Sequence, residues 1–116
     1  MERLGDEAGT ADSLVELGKL LEGSGQYEAA EQCFDKALDI NHRQNNPVKM
    51  GIAFNSRGVL YEQQGDEVAV TLQKAYYHKA LEKLEQALIL FKQYTYHDVA
   101  ITERNIARVK EKLGEG

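Results

Sequence analysis

Four side chains of this sequence have the chemistry of a nucleophile, a base or a metal ligand: Cys33, His42, His78 and His97. A nucleophile needs a base within hydrogen-bond reach, and a zinc site needs several Cys or His residues at matched spacing. No histidine lies three or four residues from another, and there is one cysteine. Cys33 precedes Phe34 in an apolar helical pattern, which favours a buried structural thiol. The sequence therefore predicts no catalytic residue, no metal and no cofactor.

Two polar segments that invite a functional interpretation are better explained as helix boundaries. The segment Gly23-Ser24-Gly25 follows one helical pattern and lacks the lysine of a phosphate-binding loop, so it predicts a turn. His97 lies between Thr95 and Asp98 at a predicted helix start, where capping is favoured over catalysis.

Composition narrows the class of protein. The chain has 116 residues, one proline, 42% hydrophobic and 28% charged residues, which suits one helical domain. A net charge of -5 argues against a nucleic-acid partner, since phosphate binding needs a basic surface. No apolar run reaches the roughly 20 residues of a membrane span, and the first residues do not resemble a signal peptide. We therefore expect no membrane partner and a cytoplasmic location.

Apolar residues recur every three or four positions, which predicts about five helices and no strand. We expect a flexible tail over residues 1–9 and a single domain over 10–114. The first helix is predicted from Thr10, and the third to run from the Asn46 cap to about Gln64, where Gly65 stops it. For the fourth helix two interpretations stay open: one continuous helix from about Glu67 to Gln93, or a helix that starts only near Leu72 after a longer loop, since residues 68–71 include weak helix formers. The predicted apolar face of the first helix consists of Leu14, Leu17, Leu20 and Leu21.

The chain repeats itself. Leu14-x-x-Leu17-Gly18-x-x-Leu21 recurs 40 residues later as Phe54-x-x-Arg57-Gly58-x-x-Tyr61. Ala30-x-x-x-Phe34-x-x-Ala37 recurs 50 residues later as Ala80-x-x-x-Leu84-x-x-Ala87. A glycine inside a helix costs about 1 kcal/mol relative to alanine, which is tolerated where another helix must approach closely. Gly18 and Gly58 are therefore predicted to be packing glycines.

At these residues the chain resembles the tetratricopeptide repeat family, in its longer-repeat branch similar to kinesin light chains and the adaptors of G-protein signalling. The resemblance implies an all-α fold, a right-handed superhelical stack of antiparallel helix hairpins. Repeat 1 would span about 11–45, repeat 2 about 47–94 with an insertion near 66–79, and a terminal helix about 96–113.

The resemblance also implies a non-enzymatic module that binds a peptide or helix of a protein partner in a concave groove. The groove residues that the resemblance implies include cations, which favour an acidic partner. Arg104 and Arg108 could instead pair with Glu103 and Glu111 on a solvated helix face. The family's clamp for a terminal carboxylate is incomplete at Val15 and Glu16. The groove residues that match the family's inward-facing positions are Lys19, Asn55, Val59, Arg104, Asn105 and Arg108.

Self-association into a homodimer is the alternative function. Extending the apolar face of the fourth helix backwards adds Val70, Tyr76 and Tyr77, and exposed apolar surface is typical of interfaces. The competing interpretation is that a longer third helix covers these residues within the monomer. Enzymatic use of the groove has no set of residues in its favour.

Overall fold

The computed structural model describes residues 4–114, with side chains from residue 9 onward. Each helix packs against the next along the chain, and the described residues contain no strand. This arrangement confirms the predicted all-α stack of helix hairpins. The helices are α1 (Leu4–Gly23), α2 (Tyr27–Arg43), α3 (Pro47–Glu67), α4 (Val70–Tyr94) and α5 (Val99–Lys112).

Local capping explains where the first hairpins turn. Gly25 has a φ of 79°, a left-handed conformation that glycine adopts without strain, and it lies two residues after the end of α1. At the start of α3 the Asn46 Oδ1 atom accepts a hydrogen bond of 3.1 Å from the Lys49 backbone N–H. Pro47 occupies the first turn, where a missing N–H costs nothing. The predicted start of α3 is therefore confirmed.

Helix α1 differs from its prediction in both extent and face. It begins at Leu4 rather than Thr10, and residues 1–3 of the predicted tail lie outside the described residues. Leu17 and Leu20 were expected in the core but are 47% and 73% exposed. The core face uses Ala11 and Val15 with half-buried Leu14 and Leu21, because α2 and α3 contact only one side of α1.

The insertion in repeat 2 is helical. Helix α3 continues through Gly65 to Glu67, so the predicted stop near Gln64 is wrong. Helix α4 begins at Val70, and only residues 68 and 69 connect the two helices, so of the two open interpretations the structure has the helical one and not the longer loop. Gly65 stays helical because its missing side chain leaves room for Tyr77 on α4. The extra residues therefore lengthen both helices of one hairpin.

A row of glycines joins α3 to α4. The three glycines lie seven residues apart, and each faces a large side chain of α4, also at intervals of seven. A Cβ atom on Gly58 would lie only 2.6 Å from Leu84 Cγ, and one on Gly18 would lie 2.5 Å from the Phe34 ring. Both predicted packing glycines are thus confirmed. The α3–α4 pairs, which we call the glycine seam, are Gly51 with Phe91, Gly58 with Leu84, and Gly65 with Tyr77.

Helix α3 is shared by two hydrophobic clusters. The first joins it to α1 and α2 around the fully buried Phe34 and Leu60. The second joins it to α4 and α5 around Leu84 and Val109, both fully buried. Helix α3 is therefore the central element, and its residues from 47 to 65 are all buried or half-buried.

Candidate binding surface

The odd-numbered helices form one layer of the molecule. Helix α1 contacts α3 and α3 contacts α5, whereas α2 and α4 make no such contact within residues 4–114. Since the odd helices lie closer together, the stack curves toward their side. We call the surface that α1, α3 and α5 share the inner face.

Asn55 and Asn105, two predicted groove residues, bind each other. The Asn55 Oδ1 atom accepts hydrogen bonds from Asn105 Nδ2 at 3.2 Å and from the Thr102 hydroxyl at 3.3 Å. Asn105 and Thr102 are buried. These amides therefore dock α5 onto α3, and the Asn55 carbonyl oxygen is occupied by this contact.

Arg108 is likewise engaged, by a carboxylate that the sequence did not single out. Its guanidinium donates two hydrogen bonds of 2.7 Å to Glu62, which is buried, and Lys112 donates a third of 2.7 Å. Lys112 also pairs with Asp66 at 3.0 Å. Arg108 thus pairs across helices rather than with Glu111 on its own helix. A sequence signal existed. Glu62 and Asp66 lie four residues apart on α3, as Arg108 and Lys112 do on α5, so each pair shares one helix face.

The pKa of Glu62 reflects this arrangement. Burial by itself would raise the pKa of the carboxyl group, but the hydrogen bonds from Arg108 and Lys112 outweigh it and hold the pKa below its usual range. The same contacts raise the pKa of Arg108, mainly through its hydrogen bond to Glu62. All three groups are therefore charged at neutral pH, and the network ties α5 to α3.

The remaining groove candidates are more accessible. Val59 is half-buried on α3, and Arg104 is exposed with no ion pair within residues 9–114. Lys19 is exposed and lies 3.7 Å from Glu16. An exposed pair of this kind contributes little, so Lys19 can exchange its partner and Arg104 can gain one.

A small cavity of about 220 Å³ opens between α1 and α3 on this side. The ion pair between Lys49 and Asp12, at 2.8 Å, lies at its edge. Asn41 is 2% exposed, and its Oδ1 atom has no hydrogen-bond partner in the described residues. The other residues that line the cavity are Val15, Glu16, Lys19 and Ile52.

The predicted self-association residues separate in the structure. Val70 is 81% exposed, and Tyr76 is half-buried with its ring centre 6.5 Å from that of Tyr61. Tyr77 is buried against Gly65, and its hydroxyl donates a hydrogen bond of 2.6 Å to Asp66. Placing Tyr77 on an exposed association surface was therefore wrong, because the longer α3 covers it within the monomer.

The residues with potential chemistry lie apart. Cys33 is buried, as predicted, while His42, His78 and His97 are exposed. No group of Cys, His, Asp and Glu side chains with the geometry of a metal site occurs among the described residues. None of the described helices has the length and apolarity that a bilayer crossing requires.

Fold and surface together define a class, the helical repeat proteins built from stacked antiparallel hairpins. Within that class, the model of the tetratricopeptide repeat family matches residues 11–43. The match spans most of the first hairpin and supports that family there, while the longer-repeat branch stays a prediction. No curated protein matches the chain, and no solved structure does. Tetratricopeptide repeats generally mediate interactions between proteins.

Proposed function

We propose that this chain is a non-enzymatic interaction module that binds a peptide or helix of a protein partner on the inner face. The observation that carries the proposal is a half-buried apolar pair on α3, Ile52 and Val59, with exposed cations on the two neighbouring odd-numbered helices, Lys19 on α1 and Arg104 on α5. The two apolar residues lie seven apart, so they point the same way from α3. A partner segment would bury them further and gain from their removal from water.

The cations at both edges favour a partner with acidic residues. Arg104 offers a planar pair of donors that suits a carboxylate, and it gives up no strong partner to do so. Arg108 contributes less than expected from the sequence, because its guanidinium is already held by Glu62. An acidic residue of the partner is therefore expected next to Arg104.

The test starts from a display library of random peptides, selected on the immobilised wild-type chain. We expect enriched peptides to carry Asp or Glu next to apolar residues. Arg104→Glu should weaken their binding, measured by titration calorimetry, by on the order of tenfold, since it replaces a charge-assisted contact with repulsion.

Lys110→Glu is the matched control, because Lys110 is an exposed cation on the same helix but on another side. It should leave binding unchanged, and both variants should keep the wild-type melting temperature. Enriched peptides without acidic residues, or equal losses in both variants, would contradict the proposal.

Self-association remains a second candidate, favoured by the 81% exposure of Val70 at the start of α4. Light scattering after size-exclusion chromatography measures it directly. A wild-type chain that is dimeric, and monomeric after Val70→Glu, would support this alternative; a monomer at high concentration would exclude it.

A further inference from the structure

The side of α3 opposite the inner face carries a second solvent-facing surface. Side chains two residues apart on a helix point about 200° apart, so Arg57 points away from the groove that contains Asn55. Helices α2 and α4 flank this side of α3, and in the described chain none of their Cα atoms lie within 8 Å of each other. We call the space between them the outer cleft, and its floor consists of Met50, Phe54, Arg57 and Tyr61.

The α2 wall of the outer cleft is acidic. Arg57, whose side chain is 8% exposed, lies 3.0 Å from Asp35 and 3.4 Å from Glu31. Its Nη1 atom is buried and makes no hydrogen bond to the described residues. Asp35 and Asp39 remain 53% and 71% exposed, and Asp39 forms only an exposed ion pair with Arg43 at 3.4 Å, so both carboxylates of this wall stay accessible to solvent.

The α4 wall is basic. Lys83 Nζ lies 5.6 Å from the centre of the Phe54 ring, and Lys79 Nζ lies 5.8 Å from the centre of the Tyr61 ring. Neither lysine forms an ion pair with a carboxylate in the part of the chain that the structure describes. The aromatic floor thus positions two ammonium groups opposite the carboxylates of α2.

Two adjoining cavities give the cleft depth at one end. One, of about 330 Å³, is lined by Asp35 and Asp39 together with apolar side chains. The other, of about 450 Å³, reaches Tyr94 of α4, and both include His42 and Met50. The apolar lining suits the aliphatic stem of a lysine or arginine whose charged group reaches the carboxylates.

We propose that the outer cleft binds an extended peptide segment in which basic and acidic residues alternate. Successive side chains of an extended chain point to opposite sides, so basic residues can face α2 while acidic residues face α4. The floor from Met50 to Tyr61 is about 17 Å long, which matches about five extended residues. The site is separate from the inner face, so it stands whether or not a partner binds there.

The experiment compares two labelled eight-residue peptides of identical composition by fluorescence anisotropy. One alternates lysine and glutamate, and the other has four lysines followed by four glutamates. We expect the alternating peptide to bind at least about fivefold more tightly, because only its pattern places opposite charges on both walls. Equal affinities, or no measurable binding of the alternating peptide, would overturn the proposal.

The site is located with Lys79→Glu, Lys83→Glu, which reverses the α4 wall. This double variant should weaken binding of the alternating peptide at least about fivefold, the size expected for two exposed ion pairs. Lys74→Glu, Lys110→Glu is the control, because it makes the same change in charge at exposed positions outside the cleft.

Comparable losses in the two double variants would show attraction by net charge alone and would overturn the assignment to the outer cleft. Arg104→Glu tests the inner face in the same assay. A loss confined to Arg104→Glu would place the peptide on the inner face and would likewise overturn the assignment.

Discussion

Gly58 illustrates how one added atom decides whether a substitution raises or lowers the free energy of unfolding. Gly→Ala inside a helix ordinarily stabilises by about 1 kcal/mol. At Gly58 the added Cβ would lie 2.6 Å from Leu84 Cγ and 3.1 Å from the Ala80 backbone oxygen, which cannot move away cheaply. We expect Gly58→Ala to lower the free energy of unfolding by about 1–3 kcal/mol, measured by urea denaturation, and Gly58→Leu to lower it further.

Gly9→Ala is the matched control for this prediction. Gly9 is exposed within α1, and nothing lies within 4 Å of its added Cβ. It should therefore show the ordinary stabilisation. An unchanged midpoint for Gly58→Leu would mean that the glycine seam is not closely packed.

Glu62 should make the stability of the fold sensitive to acid. Its pKa is depressed in the folded chain, so its contribution is complete above the ordinary carboxyl value of 4.5 and is lost as pH falls through the folded value. We expect Glu62→Gln to lower the free energy of unfolding by about 1.5–3 kcal/mol at pH 7. The difference from wild type should shrink below about pH 4.5, as followed by urea denaturation at several pH values.

Glu111→Gln provides the comparison, because Glu111 is an exposed carboxylate on α5. It should change stability little at any pH. A Glu62→Gln difference that is constant from pH 7 to pH 3 would contradict the charged network.

At the scale of the element, equivalent positions of the 40-residue repeat differ in burial between α1 and α3. Leu20 on α1 corresponds to Leu60 on α3, which is fully buried against the first hairpin, whereas Leu20 is 73% exposed. Leu60→Ala should cost about 2–5 kcal/mol, and Leu20→Ala should change stability by no more than about 0.5 kcal/mol. Thermal and urea unfolding of the two variants provide the measurement. Equal costs would mean that another part of the molecule covers α1.

The helices themselves could be predicted because their signals are local. Asn46 followed by Pro47 specifies a helix start through hydrogen bonds within one turn, and the structure confirms it. The end of α3 could not be predicted in the same way. Gly65 is a local stop signal, but its contact with Tyr77, twelve residues away, keeps it helical. Tertiary packing overrode the local preference.

The surface residues were predictable only in part. Alignment of the repeats placed Asn55, Asn105 and Arg108 near the groove, but periodicity does not show which polar groups already have partners. Arg57 occupies the position of Leu17 in the first repeat, and this replacement of leucine by arginine was the available signal for the outer cleft. The contacts of Arg57 could not be predicted from this replacement, because they depend on the separation of α2 and α4, which only the structure provides.

At the scale of the whole molecule, the stack is a row of nearest neighbours. Helix α3 has packed helices on both sides, whereas α5 packs mainly on α4 and reaches α3 through polar side chains. In such a row the end elements open at lower free energy than the centre. We expect backbone amides of α5 to exchange with deuterium faster than those of α3.

Glu62→Gln should raise exchange in α5 further while leaving α2 unchanged, because it removes charged contacts between α3 and α5 alone. Mass spectrometry of deuterated peptides resolves the two helices. A single exchange rate across all helices would show that the molecule opens only as one unit.

The glycine seam repeats every seven residues along both of its helices. Sliding α4 by seven residues would seat Phe91 on Gly58 and Leu84 on Gly65, so two of the three positions would remain filled. The seam alone therefore does not choose its own register. That choice falls to the connector of two residues between α3 and α4 and to the hydrogen bond from Tyr77 to Asp66 beside it. The two-residue connector thus determines the register of the hairpin, which the repeating contacts between its long helices leave open.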